Sequence, residues 1–367
     1  MQMLKRILTM VLVLTFVLLP LSSCAAQLKL PKEPVKKEQV KLTYGEELRQ
    51  SVETDPLFGD ADPAEDEELN ILFVGNSYSY YWPDELANLL GAAGYSSALV
   101  CNIYHSGASF EDHWTWMQQG EKAETFFINK PGQAQKRWDD VLFEDCVTYA
   151  NWDVISFQQT NRYAGSTYSN SNSISRWLPD LFKYIYAMFP QADYYWHQSW
   201  SHTAGAGSYG TMATTQKMTK FFRTSADKVC PTWGFTNAPC GDAWTFIREN
   251  PLFWQHSGDY ENDLPTLSLH TRIQHAGTSK GQIINSDLSH DGDIGGGQYL
   301  NACVWFETIT KETVVGNTFV PVYHHDEGNK DYTFTDEQIS LMQNAAHQAV
   351  LEYHGEEFYK GNNFVKN

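Results

Sequence analysis

Ile71-Leu72-Phe73-Val74 is an unbroken apolar run closed by Gly75-Asn76-Ser77, and Pro83-Asp84-Glu85 then opens a helical pattern with Leu86, Leu89 and Leu90 on one face. A segment apolar at every position suits a strand covered on both sides, the state of a parallel strand between two helical layers. Proline at the first helical position is compatible with that start, because its missing N–H has no partner there in any helix. The unit recurs. Ala98 to Tyr104, Val154 to Phe157 and Ala192 to His197 read as further strands, with Trp233 to Thr236 a weaker one. Helical patterns cover about 173–189, 212–229 and 336–353. Strands alternating with helices of this length predict an α/β chain built on a parallel sheet. Ligands of such sheets gather at the carboxyl ends of the strands, so the residues just past each strand are the candidates for chemistry.

The first residues read as an address. Lys5 and Arg6 precede a largely apolar run from Ile7 to Leu19, too short to span a bilayer, where about 20 residues are needed. Leu21-Ser22-Ser23-Cys24 follows and resembles a bacterial lipobox. That resemblance implies removal of residues 1–23, lipidation of Cys24, and a protein tethered in the cell envelope by its lipid anchor alone. Residues 24–68 carry Pro31, Pro34, a Lys/Glu-rich stretch and the acidic run Asp60 to Glu68, a composition that buries too little apolar surface to fold alone. They are expected to form the linker to a domain over 69–360.

Charge narrows the partners. Asp and Glu number 44 against 26 Lys and Arg, a net charge of −18 that becomes −20 once Lys5 and Arg6 leave with the leader. A nucleic-acid partner requires a basic face, and no basic cluster lies beyond residue 40. Beyond Cys24 the chain has Cys101, Cys146, Cys230, Cys240 and Cys303, an odd number that leaves at least one free thiol. Cys230 and Cys240 are spaced to close a short loop, but most of the five are expected to be free and buried. No Cys or His spacing suggests zinc, so neither metal nor cofactor is expected.

Three strand ends and one late motif carry the chemistry. Ser77 follows the glycine turn of the first strand, ahead of a helix N-terminus whose N–H groups face a developing oxyanion. Gly107 lies past the second strand, where a bare backbone N–H can approach a substrate or where a turn needs positive φ. Gln159 and Asn161 follow the third strand, and either amide is able to donate to an oxyanion. Downstream, Ser286-Asp287-Leu288-Ser289-His290 places Asp287 and His290 one helical turn apart. Asp287 can then orient His290, and His290 can serve as base for Ser77.

In these blocks the chain resembles the SGNH, or GDSL, hydrolase superfamily over about 70–355, in a branch whose first block reads GNS followed by an aromatic residue. The resemblance implies a flavodoxin-like three-layer α/β/α sandwich with a central parallel sheet, insertions near 110–150 and 245–285, and ester hydrolysis without metal. Ser77 matches the family's nucleophile, Gly107 its second block, and Asp287 and His290 its final D-x-x-H. Two departures stand out: Asn76 occupies the place of the usual aspartate, and Gln159-Thr160-Asn161-Arg162 replaces Gly-x-Asn-Asp in the third block. An inactive glycan-binding lipoprotein on the same fold is the alternative reading.

Competing motifs are weaker. Ala206-Gly207-Ser208-Tyr209-Gly210 approximates a nucleophile elbow but follows no strand. His324-His325-Asp326-Glu327 reads as a solvated charged stretch, and Gly292 with Gly295-Gly296-Gly297 as close helix packing beside the His290 turn. Aromatic residues cluster at the strand ends: Tyr78, Tyr80, Tyr81 and Trp82, then Trp114 and Trp116, then Tyr194 to His197 and Trp200. Rings with polar tips suit sugars and also fill cores. A small-molecule or glycan ester, for instance an acetyl ester on a carbohydrate, is the expected substrate.

Overall fold

The computed structural model describes residues 69–165, 174–201, 212–253 except 249, 296–325, 330–361 and 364. Cys24, Ser208, Asp287 and His290 lie outside the described residues, as do the leader and linker.

The strand–turn–helix unit read from the sequence is the first feature of the fold. β1 (Asn70–Gly75) is buried throughout, and α1 (Pro83–Ala92) follows. Next come β2 (Leu99–Tyr104), α2 (Phe110–Gln119), β3 (Glu124–Asn129), β4 (Lys136–Val141) and the short α3 (Phe143–Val147). β5 (Val154–Phe157), α4 (Asn161–Ala164), α5 (Ile174–Met188), β6 (Asp193–His197), α6 (Met212–Trp233), β7 (Thr236–Ala238) and α7 (Cys240–Ile247) continue the alternation. Beyond these lie α8 (Gly296–Thr310), a hairpin of β8 (Val322–His325) and β9 (Lys330–Thr333), and α9 (Asp336–His354).

The main sheet has the order β4-β3-β2-β1-β5-β6-β7. Its five strands from β2 to β7 are parallel, in the doubly wound order of flavodoxin-like folds. β3 and β4 extend it antiparallel at the β2 edge. They fill the expected insertion near 110–150, so the sheet is mixed at one side and parallel at its centre. Helices cover both faces. Ile71, Phe73 and Val154 pack with α1, α7, α8 and α9, while Leu72, Val74 and Ile155 pack with α5 and α6. Each β1 side chain from Ile71 to Val74 is fully buried, worth about 1.5–3 kcal/mol apiece. This strand is the centre of the core.

The weak strand expected at 233–236 is displaced to 236–238. α6 runs on to Trp233, and Gly234, at φ 71°, supplies the left-handed residue that ends it before the chain extends. Cys101, Cys146, Cys230, Cys240 and Cys303 are all buried free thiols, so the Cys230–Cys240 loop closure is not made. Among the described residues, no helix is long and apolar enough to cross a membrane.

Candidate functional site

The switch point of the sheet falls between β1 and β5, and the chain draws three strand ends together there. Gly75 closes β1 because nothing larger fits: a Cβ would lie 2.5 Å from Gln158 Oε1 and 2.7 Å from Ser79 Oγ. Asn76 then caps a single 3-10 turn, Ser77–Ser79, its Oδ1 accepting from the Tyr78 N–H at 3.1 Å. Its Nδ2 donates to the Ala108 carbonyl, past β2, at 2.8 Å, and its backbone N–H donates to Gln158 Oε1, past β5, at 2.9 Å. An ionised aspartate could make the first bond but not the second. This turn needs a donor and an acceptor on one side chain, and asparagine supplies both. Ser79, also buried, accepts from Asn102 Nδ2 at 3.1 Å and so ties the turn to β2. Ser77 itself is half-buried at the mouth of this arrangement.

Gly107 has φ 70°, and a Cβ there would meet nothing within 4 Å. Its glycine is required by backbone conformation, and the space beside it is open. Ser109 opens α2 with a reciprocal capping box with Asp112.

The two third-block amides are set differently. Gln159 Oε1 accepts from the Phe110 N–H at 3.2 Å and the Thr160 N–H at 2.9 Å, which fixes the amide. Its Nε2 is buried and has no hydrogen-bond partner among the described residues. Asn161 Nδ2 instead donates to the Trp200 carbonyl at 3.1 Å, drawing that side chain toward the end of β6. Gln158 Nε2 donates to the Gln159 carbonyl, locking the two glutamines together. Sequence reading overlooked Gln158 and singled out Gln159 and Asn161 equally. The hydrogen bonds separate them.

Beneath the turn lies a buried ion pair that the sequence reading also missed. His113 of α2, 0% exposed, contacts Glu124 Oε1 of β3 through Nδ1 at 2.8 Å, and its Nε2 donates to the Gly75 carbonyl at 3.2 Å. Both partners are acceptors, so a doubly protonated ring satisfies both. Burial pushes the His113 pKa down, but the Glu124 carboxylate and its hydrogen bond outweigh burial and leave the pKa raised. A charged pair is thus built under the peptide that leads into Ser77.

His197, at the end of β6, is of the opposite kind. It packs against both Trp82 and Trp305, which also touch each other, accepts from Trp305 Nε1 at 2.9 Å, and burial lowers its pKa to about 3. It is a neutral core histidine. Most of the aromatic residues at the strand ends are likewise core: Tyr78, Trp82, Tyr194, Tyr195, Trp196 and Trp200 are buried, and Trp200 stacks on Trp244 at 5.0 Å. Tyr80, Tyr81, Trp114 and Trp116 keep part of their surface open. His324 and His325 fall in β8, and no group of three His, Cys, Asp or Glu able to hold a metal occurs among the described residues.

Residues 70–229 match the model of a family described as a domain of unknown function, DUF4886. The match takes in β1 through most of α6, and with them Ser77, Gly107, Gln159 and Asn161. The crystal structure of a DUF4886 family protein from Bacteroides uniformis is 22% identical and superposes with a TM-score of 0.58, covering 78% of this chain and 96% of that one. At that identity the likeness is one of fold. A protein from Parabacteroides merdae, described as a "putative GDSL-like lipase", is 14% identical at a TM-score of 0.38 and covers 66% of this chain and 95% of that one. No curated protein matches the chain.

Proposed function

We propose that this chain is a serine ester hydrolase of the SGNH type, with Ser77 as nucleophile, His290 as its base and Asp287 orienting His290. The observation that carries the reading is the convergence of three strand ends on the Ser77 turn, with one fixed buried amide, Gln159 Nε2, left without a partner among the described residues. An unpaired buried donor costs about 1–3 kcal/mol, an expense that makes sense where an oxyanion forms and accepts it.

In this scheme His290 takes the Ser77 Oγ proton as Oγ attacks the ester carbonyl. The tetrahedral oxyanion accepts from the Ser77 and Gly107 N–H groups and from the third-block amide. Collapse expels the alcohol, which leaves with the proton from His290, and water repeats the sequence to release the acid. His113 and Glu124 hold the Gly75 peptide from below and take no proton from substrate. An acetyl ester on a carbohydrate is the substrate favoured here, delivered to an enzyme tethered through Cys24 in the cell envelope.

The test is labelling by a fluorophosphonate probe together with turnover of an aryl acetate. Wild type should label and turn over, and Ser77→Ala should do neither. Ser77→Ala and His290→Ala should each cost several orders of magnitude in kcat, and the double variant little more, because groups that act as a unit fail non-additively. Undiminished turnover in Ser77→Ala overturns the mechanism. A wild type that hydrolyses no acetylated glycan or aryl ester, yet binds glycan, supports the inactive binding lipoprotein instead.

A further inference from the structure

Beside the Ser77 turn, on the sheet face that carries α1, three rings form a continuous cluster. Tyr80 directly follows the 3-10 turn, Tyr104 ends β2, and Phe127 belongs to β3. Their centroids are 4.7 Å apart for Tyr80 and Tyr104, 4.5 Å for Tyr80 and Phe127, and 5.8 Å for Tyr104 and Phe127. Phe127 is buried as the floor, while Tyr80 and Tyr104 remain partly open. Burial raises the Tyr80 pKa, against the pull of Arg137, so its phenol stays protonated and able to donate.

The rim is polar and self-neutralised. Arg137 lies opposite Phe127 in the β3–β4 register, its guanidinium 5.5 Å from the ring centroid. It pairs with Asp139 at 2.8 Å, and Asp139 Oδ1 accepts from Thr125 Oγ1 at 3.0 Å. Both charged side chains are more than half exposed, at 55% and 52%. The patch therefore offers ring faces, phenol hydroxyls, guanidinium donors and carboxylate acceptors, with no net charge of its own.

That combination selects among ligands. An anionic ligand would meet Asp139 on a chain of net charge −18. A fatty acyl chain would find three aromatic rings tipped or rimmed by polar groups and no aliphatic trough. A neutral pyranose has an apolar C–H face for a ring and hydroxyls at its edge for paired donors and acceptors, the pattern of a few placed polar groups around an aromatic surface. We propose that Tyr80, Tyr104 and the Arg137–Asp139 pair, over Phe127, form a subsite for a neutral sugar ring of the glycan whose ester is cleaved at Ser77. Its relation to Ser77 rests on the esterase reading; its capacity to bind sugar does not. A 3-10 turn rises about 2 Å per residue, so Tyr80 lies only about 6 Å along the turn from Ser77, close enough for one glycan to occupy both.

Two measurements on the full chain test this. Calorimetric titration with xylohexaose and cellohexaose should detect binding of at least one, and Tyr104→Leu and Arg137→Ala should each weaken it at least tenfold. Arg137 is a surface residue, so its variant guards against a result due to misfolding. The ratio of kcat/KM on acetylated xylo-oligosaccharide to that on 4-nitrophenyl acetate should fall at least tenfold in the same variants. Wild type that binds neither hexasaccharide, variants that bind as wild type does, or preferential binding of polygalacturonate overturns the subsite. Aryl acetate turnover with an unaltered ratio sinks the subsite and leaves the esterase standing. Sugar binding lost in the variants, without any ester hydrolysis by wild type, does the reverse.

Discussion

Asn76→Asp replaces the Nδ2 group with an oxygen placed against the Ala108 carbonyl, at the position from which Nδ2 now donates over 2.8 Å. The other oxygen keeps the Tyr78 N–H. The site is 1% exposed, which leaves little water to separate two facing acceptors. A buried acceptor deprived of its donor costs about 1–3 kcal/mol, and more when a charge is involved. The introduced carboxyl avoids most of that cost by keeping its proton and donating it to Ala108, so its folded pKa rises above the unfolded value of about 3.9. Between those two values the folded state holds one proton more than the unfolded state, and the variant loses stability as pH rises through the window. The variant should therefore nearly match wild type at about pH 4 and fall behind by about 3 kcal/mol at about pH 8. At an m-value of about 3 kcal/mol/M, the deficit is a urea midpoint lower by about 1 M, read by tryptophan fluorescence against wild type at each pH. A wild-type midpoint at the higher pH, or a larger deficit at the lower one, refutes the argument that Asn76 is present for its donor.

Gln159→Glu keeps the acceptor for the Phe110 and Thr160 N–H groups but removes the unpartnered donor, and should lower kcat on an aryl ester by roughly 10²–10³ or more. Asn161→Ala should cost less than about tenfold, and steady-state kinetics showing the opposite order would transfer the oxyanion role to Asn161. His113→Gln breaks a buried pair from one side and should cost about 3–5 kcal/mol. Because the His113 pKa is raised, the pair's contribution is complete below the unfolded value of about 6.5 and fades as pH rises through the folded one. Urea midpoints of wild type and His113→Gln should therefore converge on going alkaline, and parallel curves would contradict this. Expressed in a bacterial host, the chain should partition with membranes and incorporate labelled palmitate, whereas Cys24→Ala should not; membrane association without label would defeat the anchor.

The apolar runs of β1 and β5 are legible because strands covered on both faces carry few polar positions, here only Asn70 at the start of β1 and Ser156 within β5. For the same reason α8 is invisible: every residue from Gly296 to Thr310 is buried, so no polar stripe marks a helical period. β3 and β4 escape notice differently. Glu124 sits in the interior as the partner of His113, and Trp138 is the sole buried residue of β4, so neither strand shows clean alternation. Ser77, Gly107 and Gln159 stand at strand ends and can be found by position. Gln158 and His113 act on backbone atoms of the first strand's turn from far along the chain, Gln158 from 82 residues away, and no local spacing announces such a bond.

The main sheet has two rims, and neither invites another strand. At one, β4 presents Arg137, Asp139 and Asp140 to solvent, and Asp140, at φ 56°, leaves the extended conformation altogether. At the other, β7 is three residues long, and its Asn237 carbonyl already accepts from His354 Nε2 of α9 at 2.8 Å. Strand addition needs a straight row of free amide and carbonyl groups, which charge, a backbone kink, brevity and a covering helix all deny. Among the described residues, recognition by lengthening the main sheet, the route by which many domains seize extended peptides, finds no open edge. On this sheet a ligand meets side chains and the turns at the strand ends, not a free row of backbone groups along an edge.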